Sequence, residues 1–282
     1  MEIKINDKIL DAKPENENTV GEVLSSVEQW LESSGHRISE LKIDNELVNV
    51  SEIGDVFAKN IDSVNLMEIR TLAIGELAAA SILNLIEDIK EYEGLDFNGK
   101  KAFFETWKTS AAAGFLSAEM PDLFGFCVNT FSNGEIGAQT LLSITEEIQR
   151  EVIEPVKELS NIEPVLNEIC ERLIRLPLDI QTGKDALAAQ TIQIFSAVTE
   201  KIIRIFRQLD IQGYLSLASG SEKPLNQLIT EFWNVLKELL EAYEKNDSIL
   251  VGDITEYEAA PKLKKLYFAI LENIQKKTQD EK

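Results

Sequence analysis

The spacing of the apolar residues changes near residue 70, and this change restricts the chain to a two-part fold. Before it, apolar and polar residues alternate, as at Ile3 and Ile5, which is the two-residue period of a strand. After it, apolar residues recur every three or four positions, which is the period of an amphipathic helix. The sequence therefore predicts an α+β protein, with a small mixed domain at residues 1–70 and an all-helical domain at residues 71–282.

One helix start is clear within the first domain. Thr19 and Glu22 form a capping-box pattern, in which the hydroxyl and the carboxylate bind free backbone N–H groups at a helix start. The apolar residues that follow have helical spacing, and Gly35 is a typical helix end. Alternating segments on both sides of this helix predict a ββαββ order with a last strand after a loop; they lie at residues 3–5, 8–12, 41–43, 47–48 and 64–69.

This order resembles the ubiquitin-like β-grasp fold, and in particular the layout of the small sulfur carriers, over residues 1–70. Carriers and modifiers in that family end in a free Gly-Gly whose carboxylate is adenylated. Here the last strand runs through residues 67–74 directly into a helix, so that no terminal carboxylate is present at this point. The resemblance therefore implies an adapter domain without carrier chemistry.

The second part of the chain predicts a helical bundle or an irregular helical array. No repeat of fixed period is visible. Pro155 is expected to kink the helix that contains it, because proline cannot donate a backbone hydrogen bond. The predicted helices cover residues 71–92, 102–115, 138–159, 163–176, 185–209, 225–243 and 260–276, and the loops between them include residues 94–99, 177–184, 213–224 and 246–253.

The charge of the chain narrows the classes of partner. It has 49 acidic and 28 basic residues, for a formal net charge of −21. Such a surface repels the phosphates of nucleic acids and anionic lipid headgroups, so we expect protein partners, no nucleic acid and no membrane. No signal peptide is visible, and the longest apolar stretch, residues 72–86, is shorter than a membrane span of about 20 residues. A cytoplasmic location is therefore expected.

No catalytic, cofactor-binding or metal-binding signature is visible. His36 is the only histidine, which excludes a histidine-based triad or a multi-histidine metal site within one chain. Residues 94–101 nearly match the phosphate-binding pattern GxxxxGK[ST], but Lys101 replaces the hydroxyl residue and an acidic helix precedes the segment. Cys127 and Cys170 are too few for a disulfide framework. We expect no cofactor.

Carboxylates remain the open chemical alternative because they are so numerous. One predicted helix carries Glu146, Glu147, Glu151 and Glu154, but without the Glu-x-x-His pairs of a di-iron site. A second group, at residues 253–258, is better explained by helix capping than by metal binding. These acids leave open an enzyme with an acidic, divalent-cation-dependent site in the helical domain.

A basic helix face is formed by Lys201, Arg204 and Arg207. It is either a solvated face paired with nearby acids or a patch for an acidic partner. A separate set of aromatic residues, Phe103, Phe104, Trp107 and Phe126, could bind a small apolar ligand, although aromatics at such spacing are more often core.

Two predicted loops are unusually apolar and are the candidate partner site. They either cap the core or, where exposed, bind another protein, since exposed apolar patches mark interfaces. The candidate residues are Tyr214, Leu215, Leu217, Ile249, Leu250 and Val251. We therefore predict a non-enzymatic protein-interaction protein, an adapter, scaffold or assembly chaperone, with self-association left open.

Overall fold

The computed structural model describes residues 1–10, 17–48, 53–134, 136–215, 224–245 and 247–280. They form two compact units, Met1–Leu141 and Leu142–Lys282. The first contains a five-stranded sheet and a set of helices, and the second is helical. The predicted α+β class is confirmed. The change from strand to helix falls at Ala73 and Ile74, and a domain boundary at residue 70 stays a prediction.

The sheet has the strand order β2-β1-β5-β3-β4. The first and last strands pair in parallel, with Ile3 opposite Met67 and Ile5 opposite Ile69, and the other pairs are antiparallel. The two edge strands have two residues each. The strands are β1 (Glu2–Ile5), β2 (Lys8–Ile9), β3 (His36–Ile43), β4 (Glu46–Leu47) and β5 (Leu66–Ala73).

Two tight turns hold the outer strands in register. Asn6 and Asp7 have φ of 47° and 65°, and Asp44 and Asn45 have φ of 49° and 70°. Two-residue hairpin turns need positive φ at both positions, and Asn and Asp adopt it more readily than other residues with a side chain. The Asn6 amide also binds Thr71 on β5, donating to its Oγ1 at 2.8 Å and accepting from its backbone N–H at 2.9 Å.

The helix α1 (Val20–Ser33) begins with the predicted capping box. Thr19 Oγ1 accepts from the backbone N–H of Glu22 at 3.2 Å, and the Glu22 carboxylate accepts from the N–H of Thr19 at 3.2 Å. After the helix, Gly35 takes a φ of 71°. The sheet and α1 share one core, with Val20, Val23, Leu24, Val27 and Leu31 from the helix and Ile3, Ile43, Met67 and Ile69 from the strands.

The helical part of the first unit differs from the prediction in two places. The predicted helix over 102–115 is broken, because Ser110 caps a new helix by accepting from the N–H of Ala113 at 3.1 Å. The predicted loop 94–99 is mostly helix, because the Asp96 carboxylate caps its start at the N–H of Gly99, 2.8 Å away. Besides the short α2 (Ile53–Phe57), the helices are α3 (Ile74–Gly94), α4 (Phe97–Trp107), α5 (Ala111–Glu119) and α6 (Pro121–Val128).

Four helices of the second unit extend beyond their predicted ends, and a fifth is divided in two. Pro155 does interrupt the helix predicted over 138–159, as expected, but Pro177 lies inside a helix instead of starting a loop. Most of the predicted loop 246–253 is also helical. The helices are α7 (Ala138–Ile153), whose first residues belong to the first unit, α8 (Pro155–Asn161), α9 (Glu163–Gln181), α10 (Asp185–Ile211), α11 (Leu225–Glu244), α12 (Ser248–Ile254) and α13 (Ala260–Asp280).

The core of the second unit is formed mainly by α9, α10, α11 and α13. Tyr267 is fully buried and donates from its hydroxyl to the carbonyl of Leu159 at 3.1 Å. Gly252 packs against Pro177, where a Cβ at residue 252 would come within 3.1 Å of the proline ring. Across the described residues, no helix has the length and apolar character required to cross a membrane.

The capping box gives a first testable prediction. Thr19→Ala should lower the free energy of unfolding of the first unit by about 1 kcal/mol, because the N–H of Glu22 loses its acceptor. Thr19→Ser keeps the hydroxyl and should stay close to the wild type. Urea unfolding followed by circular dichroism measures both variants, and an equal loss in both would show that the hydroxyl does not cap the helix.

Candidate functional site

The candidate partner residues divide into exposed and buried side chains. Tyr214 follows the end of α10 and is exposed, whereas Leu215 belongs to the core. In α12, Ile249 and Leu250 are exposed and Val251 is buried. Leu217 lies outside the described residues. Each segment therefore has one part that caps the core and one part that faces solvent, so neither of the two predicted roles applies to a whole segment.

The structure does not bring the two predicted segments together. Lys277, near the end of α13, donates from its side chain to the carbonyl of Gly213, next to Tyr214. The helix α12 lies at the other end of α13, since a π-helical turn at Thr255–Ala259 connects α12 to the first residue of α13. Residues 260–277 of a helix span roughly 25 Å, so the segments lie near opposite ends of α13. They cannot form one compact contact site.

A second apolar stripe on α11 was missed by the sequence reading. Its core-facing stripe is Leu225, Leu228, Phe232, Val235, Leu239 and Ala242. The next positions along the chain repeat the spacing, with Ile229, Trp233, Leu236, Leu240 and Tyr243. At 100° per residue these five positions fall within about 80° of arc, centred about 90° from the core-facing stripe. The alternating three- and four-residue spacing was the signal that could have found them.

Most of this second stripe is open to solvent. Trp233, Leu240 and Tyr243 are 50%, 58% and 56% exposed, while Ile229 and Leu236 are half-buried at the edge of the core. The stripe runs about 21 Å along the helix, which is roughly four turns. Single exposed apolar residues are common on proteins, but an aligned row that includes Trp and Tyr is typical of an interface.

The start of α12 lies close to the end of α11. The backbone N–H of Asp247 donates to the carbonyl of Ala242 at 3.0 Å, so the chain turns closely at the end of α11. The Asp247 carboxylate then caps α12 at the N–H of Leu250, also at 3.0 Å. Ile249 therefore follows closely on the last turn of α11. We call Trp233, Leu236, Leu240, Tyr243 and Ile249 the α11–α12 face.

A cluster of charged residues connects α7, α8 and α10. Arg204 donates to the two oxygens of Glu151 at 2.8 and 2.9 Å, in a bidentate pair. Lys201 lies 2.9 Å from Glu147 and 3.2 Å from Glu158. The predicted basic face is thus paired with acids at Lys201 and Arg204. It is less solvated than expected, since the Glu151 side chain is only 1% exposed.

Electrostatic coupling in this charged cluster shifts the pKa of its members. Burial tends to raise the pKa of Glu147, but the hydrogen bond and charge of Lys201, with Arg204 and Arg150, bring it below its ordinary value. Burial opposes a high pKa for Lys201, yet its contacts with Glu147, Glu158 and Glu151 raise it. Two of the acids of α7, Glu147 and Glu151, therefore bind cations of the same unit.

The other predicted acidic groups are also engaged in local contacts. Glu154 binds Lys157 at 2.7 Å, and Glu258 binds Lys262 at 2.8 Å. Among the residues that the structure describes, no group of three or more His, Cys, Asp or Glu side chains could hold a metal ion.

The predicted aromatic set is divided in the structure. Phe103 and Trp107 join a cluster with Tyr92, Phe124 and Phe131, in which ring centroids lie 4.8 to 5.8 Å apart. Phe104 instead lies beneath the ammonium group of Lys108, and Phe126 is exposed. These rings pack α3, α4 and α6 against one another and form an apolar core for the helical part of the first unit.

Comparisons with known proteins give matches in both halves of the chain. Residues 1–73 match a family model described as the TP0873 N-terminal domain. Residues 157–267 match a model described as a domain of unknown function, DUF8042. An uncharacterized protein of Treponema pallidum (strain Nichols) is 22% identical over 271 residues, which cover 96% of each chain. No solved structure matches the chain. The first match ends where β5 ends, and the second lies within the second unit.

The bidentate pair predicts a stability effect. Glu151→Gln should lower the free energy of unfolding of the second unit by about 3 kcal/mol, because it leaves Arg204 in a partly buried site without its carboxylate. Glu146→Gln, at an exposed position of the same helix, should change it by less than about 0.5 kcal/mol. Thermal or urea unfolding compares the two variants, and equal values would show that the buried pair contributes nothing.

The lowered pKa of Glu147 predicts a dependence on pH. A carboxyl group whose pKa is lower in the folded state contributes stability above its unfolded pKa, and this contribution is lost as the pH falls through the folded value. Between about pH 5 and pH 3, the wild type should therefore lose more stability than Glu147→Gln. Melting temperatures of the wild type and of Glu147→Gln across this pH range measure the difference, and Glu146→Gln should follow the wild type. If the melting temperatures of the wild type and of Glu147→Gln fell in parallel, the lowered pKa of Glu147 would be contradicted.

Proposed function

We propose that this protein is a non-enzymatic adapter that binds another protein through the α11–α12 face. The observation that carries the proposal is the second apolar stripe of α11, which the core of its own unit leaves largely exposed. Exposed apolar area is unfavourable in water, at about 25 cal/mol per Å², so a row of such residues gains free energy when a partner covers it. Trp and Tyr are also the residues most often found at the energetic centre of interfaces.

The shape of this surface suits a helical partner. Its residues lie along one line on α11, so an amphipathic helix laid alongside would meet them with its own apolar stripe. Four turns give enough length for the usual anchor positions at i, i+3, i+4 and i+7. The exposed start of α12 at Ile249 adds one more contact at the end of this line.

The negative net charge of the chain favours a basic partner. The formal net charge is −21, and the charged positions of α11 nearest the stripe are Lys237, Glu241 and Glu244, whereas Glu231 and Glu238 lie on the opposite side of the helix. A partner helix with Lys or Arg beside its apolar stripe would be attracted by this negative charge, and a second copy of the acidic chain would be repelled by it. We therefore infer that the face binds a different protein. From the same net charge we propose a cytoplasmic protein whose partners are proteins and not nucleic acids.

The sheet domain fits an adapter in which the helical unit makes the recognition contact. The strand order, with its parallel central pair, supports a β-grasp fold of the ubiquitin-like kind. In the residues described, the edge strands β2 and β4 are two residues long. Short edges offer few free backbone groups, so a partner strand gains little by adding to this sheet. The domain would then serve as a rigid head, without the terminal Gly-Gly of carriers.

Substitutions on the face test the proposal directly. A Trp233→Ser/Leu240→Ser variant used as bait should recover at least tenfold less of a specific protein than the wild type, because two apolar anchors are lost. Both side chains are half-exposed, so the melting temperature should change little. Quantitative mass spectrometry of proteins captured from the native cytosol measures the difference.

The control is Phe97→Ser, which removes an 86% exposed apolar side chain in the first unit. It should leave capture of the same protein unchanged. If Phe97→Ser reduced capture as strongly as the double variant, the loss would reflect non-specific binding to exposed apolar side chains, and the proposal would be wrong. Retention of every partner by the double variant would also contradict it.

A further inference from the structure

A groove opens between α3 and α4 in the first unit. It shares no residue with the α11–α12 face. Its volume is about 420 Å³, within the range of small-molecule sites. Residues of both helices line its walls, and so does Ser110, the residue that caps the start of α5. The lining residues used below are Asp88, Glu91, Phe103, Thr106, Trp107 and Ser110.

The groove presents negative charge without a compensating cation. Asp88 is half-buried and Glu91 is exposed, and neither forms an ion pair within 4.0 Å among the residues described. The hydroxyls in the wall are partly used. Thr106 Oγ1 donates to the carbonyl of Ala102 at 3.3 Å, and Ser110 Oγ accepts from the N–H of Ala113 at 3.1 Å and keeps its own O–H to donate. The charged groups that a ligand would meet are carboxylates, which accept hydrogen bonds and attract positive charge.

The surrounding charges make Asp88 an unusual carboxylate. Burial raises its pKa, the indole N–H of Trp107 lowers it, and Glu91 and Glu87 raise it again. The Trp107 nitrogen is itself buried and has no acceptor within hydrogen-bond geometry. The nearby ammonium group of Lys100 lies 5.0 Å from the centre of the Tyr92 ring and forms no ion pair with Asp88 or Glu91. On balance the pKa of Asp88 is raised, so the groups around it do not stabilise its negative charge.

Two aromatic residues of α4 also line the groove. Phe103 is partly exposed and Trp107 is buried, and contacts of their rings with Phe131, at 5.3 and 4.9 Å between centroids, fix both in position. Aromatic rings attract cations through their quadrupole, and they also bury apolar groups. Carboxylates beside aromatic rings are therefore a suitable composition for a site that binds an organic cation.

We propose that this groove binds an organic cation, an ammonium or guanidinium group on an apolar stem, with Asp88 and Glu91 contacting the charge and the Phe103 ring, with Trp107 behind it, contacting the stem. A bare metal ion fits less well, because two carboxylates provide too few oxygen ligands for Ca²⁺ or Mg²⁺ without a third protein group. An anionic ligand would meet uncompensated repulsion. The same cationic group occurs in two kinds of ligand: a small amine, and a polypeptide that presents a Lys or Arg side chain.

Titration calorimetry with the full chain tests the groove, with 2-phenylethylammonium as the probe and 2-phenylethanol as its neutral match. The ammonium should bind with a Kd on the order of 1 mM or tighter, and the alcohol at least tenfold more weakly, because the charge is the recognised group. Acetyl-arginine amide forms the second arm. If it binds more tightly than the amine, the natural cation belongs to a polypeptide, and the reverse order assigns it to a small molecule.

Variants locate the binding. Asp88→Asn keeps the shape of the side chain and should weaken 2-phenylethylammonium binding tenfold or more, whereas Glu105→Gln, on α4 but outside the groove, should not change it. The indole resonance of Trp107 should shift during the titration, and those of Trp30 and Trp233 should not. Equal binding of amine and alcohol, equal binding by Asp88→Asn, or no binding would overturn the proposal. None of these results depends on Trp233 or Leu240, so the adapter proposal is tested separately.

Discussion

Each helix of the second unit has to cover an apolar stripe, and this requirement determines how its helices pack. On α9, α10 and α13 the main apolar stripe enters a common core, with fully buried residues such as Leu173, Ile205 and Tyr267. On α11 the same requirement is met by the stripe that contains Phe232 and Val235. The neighbouring stripe with Trp233 and Leu240 is largely exposed, and only Ile229 and Leu236 of it pack at the edge of the core. Our proposal is that a partner covers this row.

The charged cluster of α7, α8 and α10 shows how the second unit uses its excess of acid. Three glutamates surround Lys201 and Arg204, and the most buried of them, Glu151, makes the bidentate pair. Buried ion pairs add little net stability compared with apolar packing, but loss of one partner is costly because the other charge stays behind. Such a cluster fixes which faces of the helices meet. It also engages two acids of α7, Glu147 and Glu151, with cations of the same unit.

Local signals in the sequence predicted the local structure well. The capping box at Thr19 and the helix end at Gly35 depend on a few adjacent residues, and both are present in the structure. The errors have two causes: a distant contact that overrides a local preference, and a local helix cap that was missed. Pro177 indicates a helix end by its missing N–H, yet it lies within α9, where its ring packs against Gly252. The segment around Leu250 resembles a loop because it is short, yet the Asp247 cap starts a helix there.

The candidate site was only partly accessible to sequence reasoning. Apolar composition singled out Leu215 and Val251, but burial in the core removes both from any surface. The row with Trp233 was missed because the spacing of α11 fits two neighbouring stripes, and spacing alone does not say which of them faces the core. The groove beside Asp88 depends on how α3 and α4 pack, which no local pattern specifies. The ββαββ order, by contrast, could be predicted because each of its strands has its own alternation.

The most direct test of the adapter account is photo-cross-linking in the native cytosol. A photoreactive phenylalanine analogue at position 240 lies within the α11–α12 face, and the same analogue at position 97 occupies an exposed apolar site in the other unit. The account predicts a defined cross-link from position 240 to a basic amphipathic helix of another protein, and none to that helix from position 97. Cross-links from position 240 only to copies of this chain, or the same products from both positions, would contradict it.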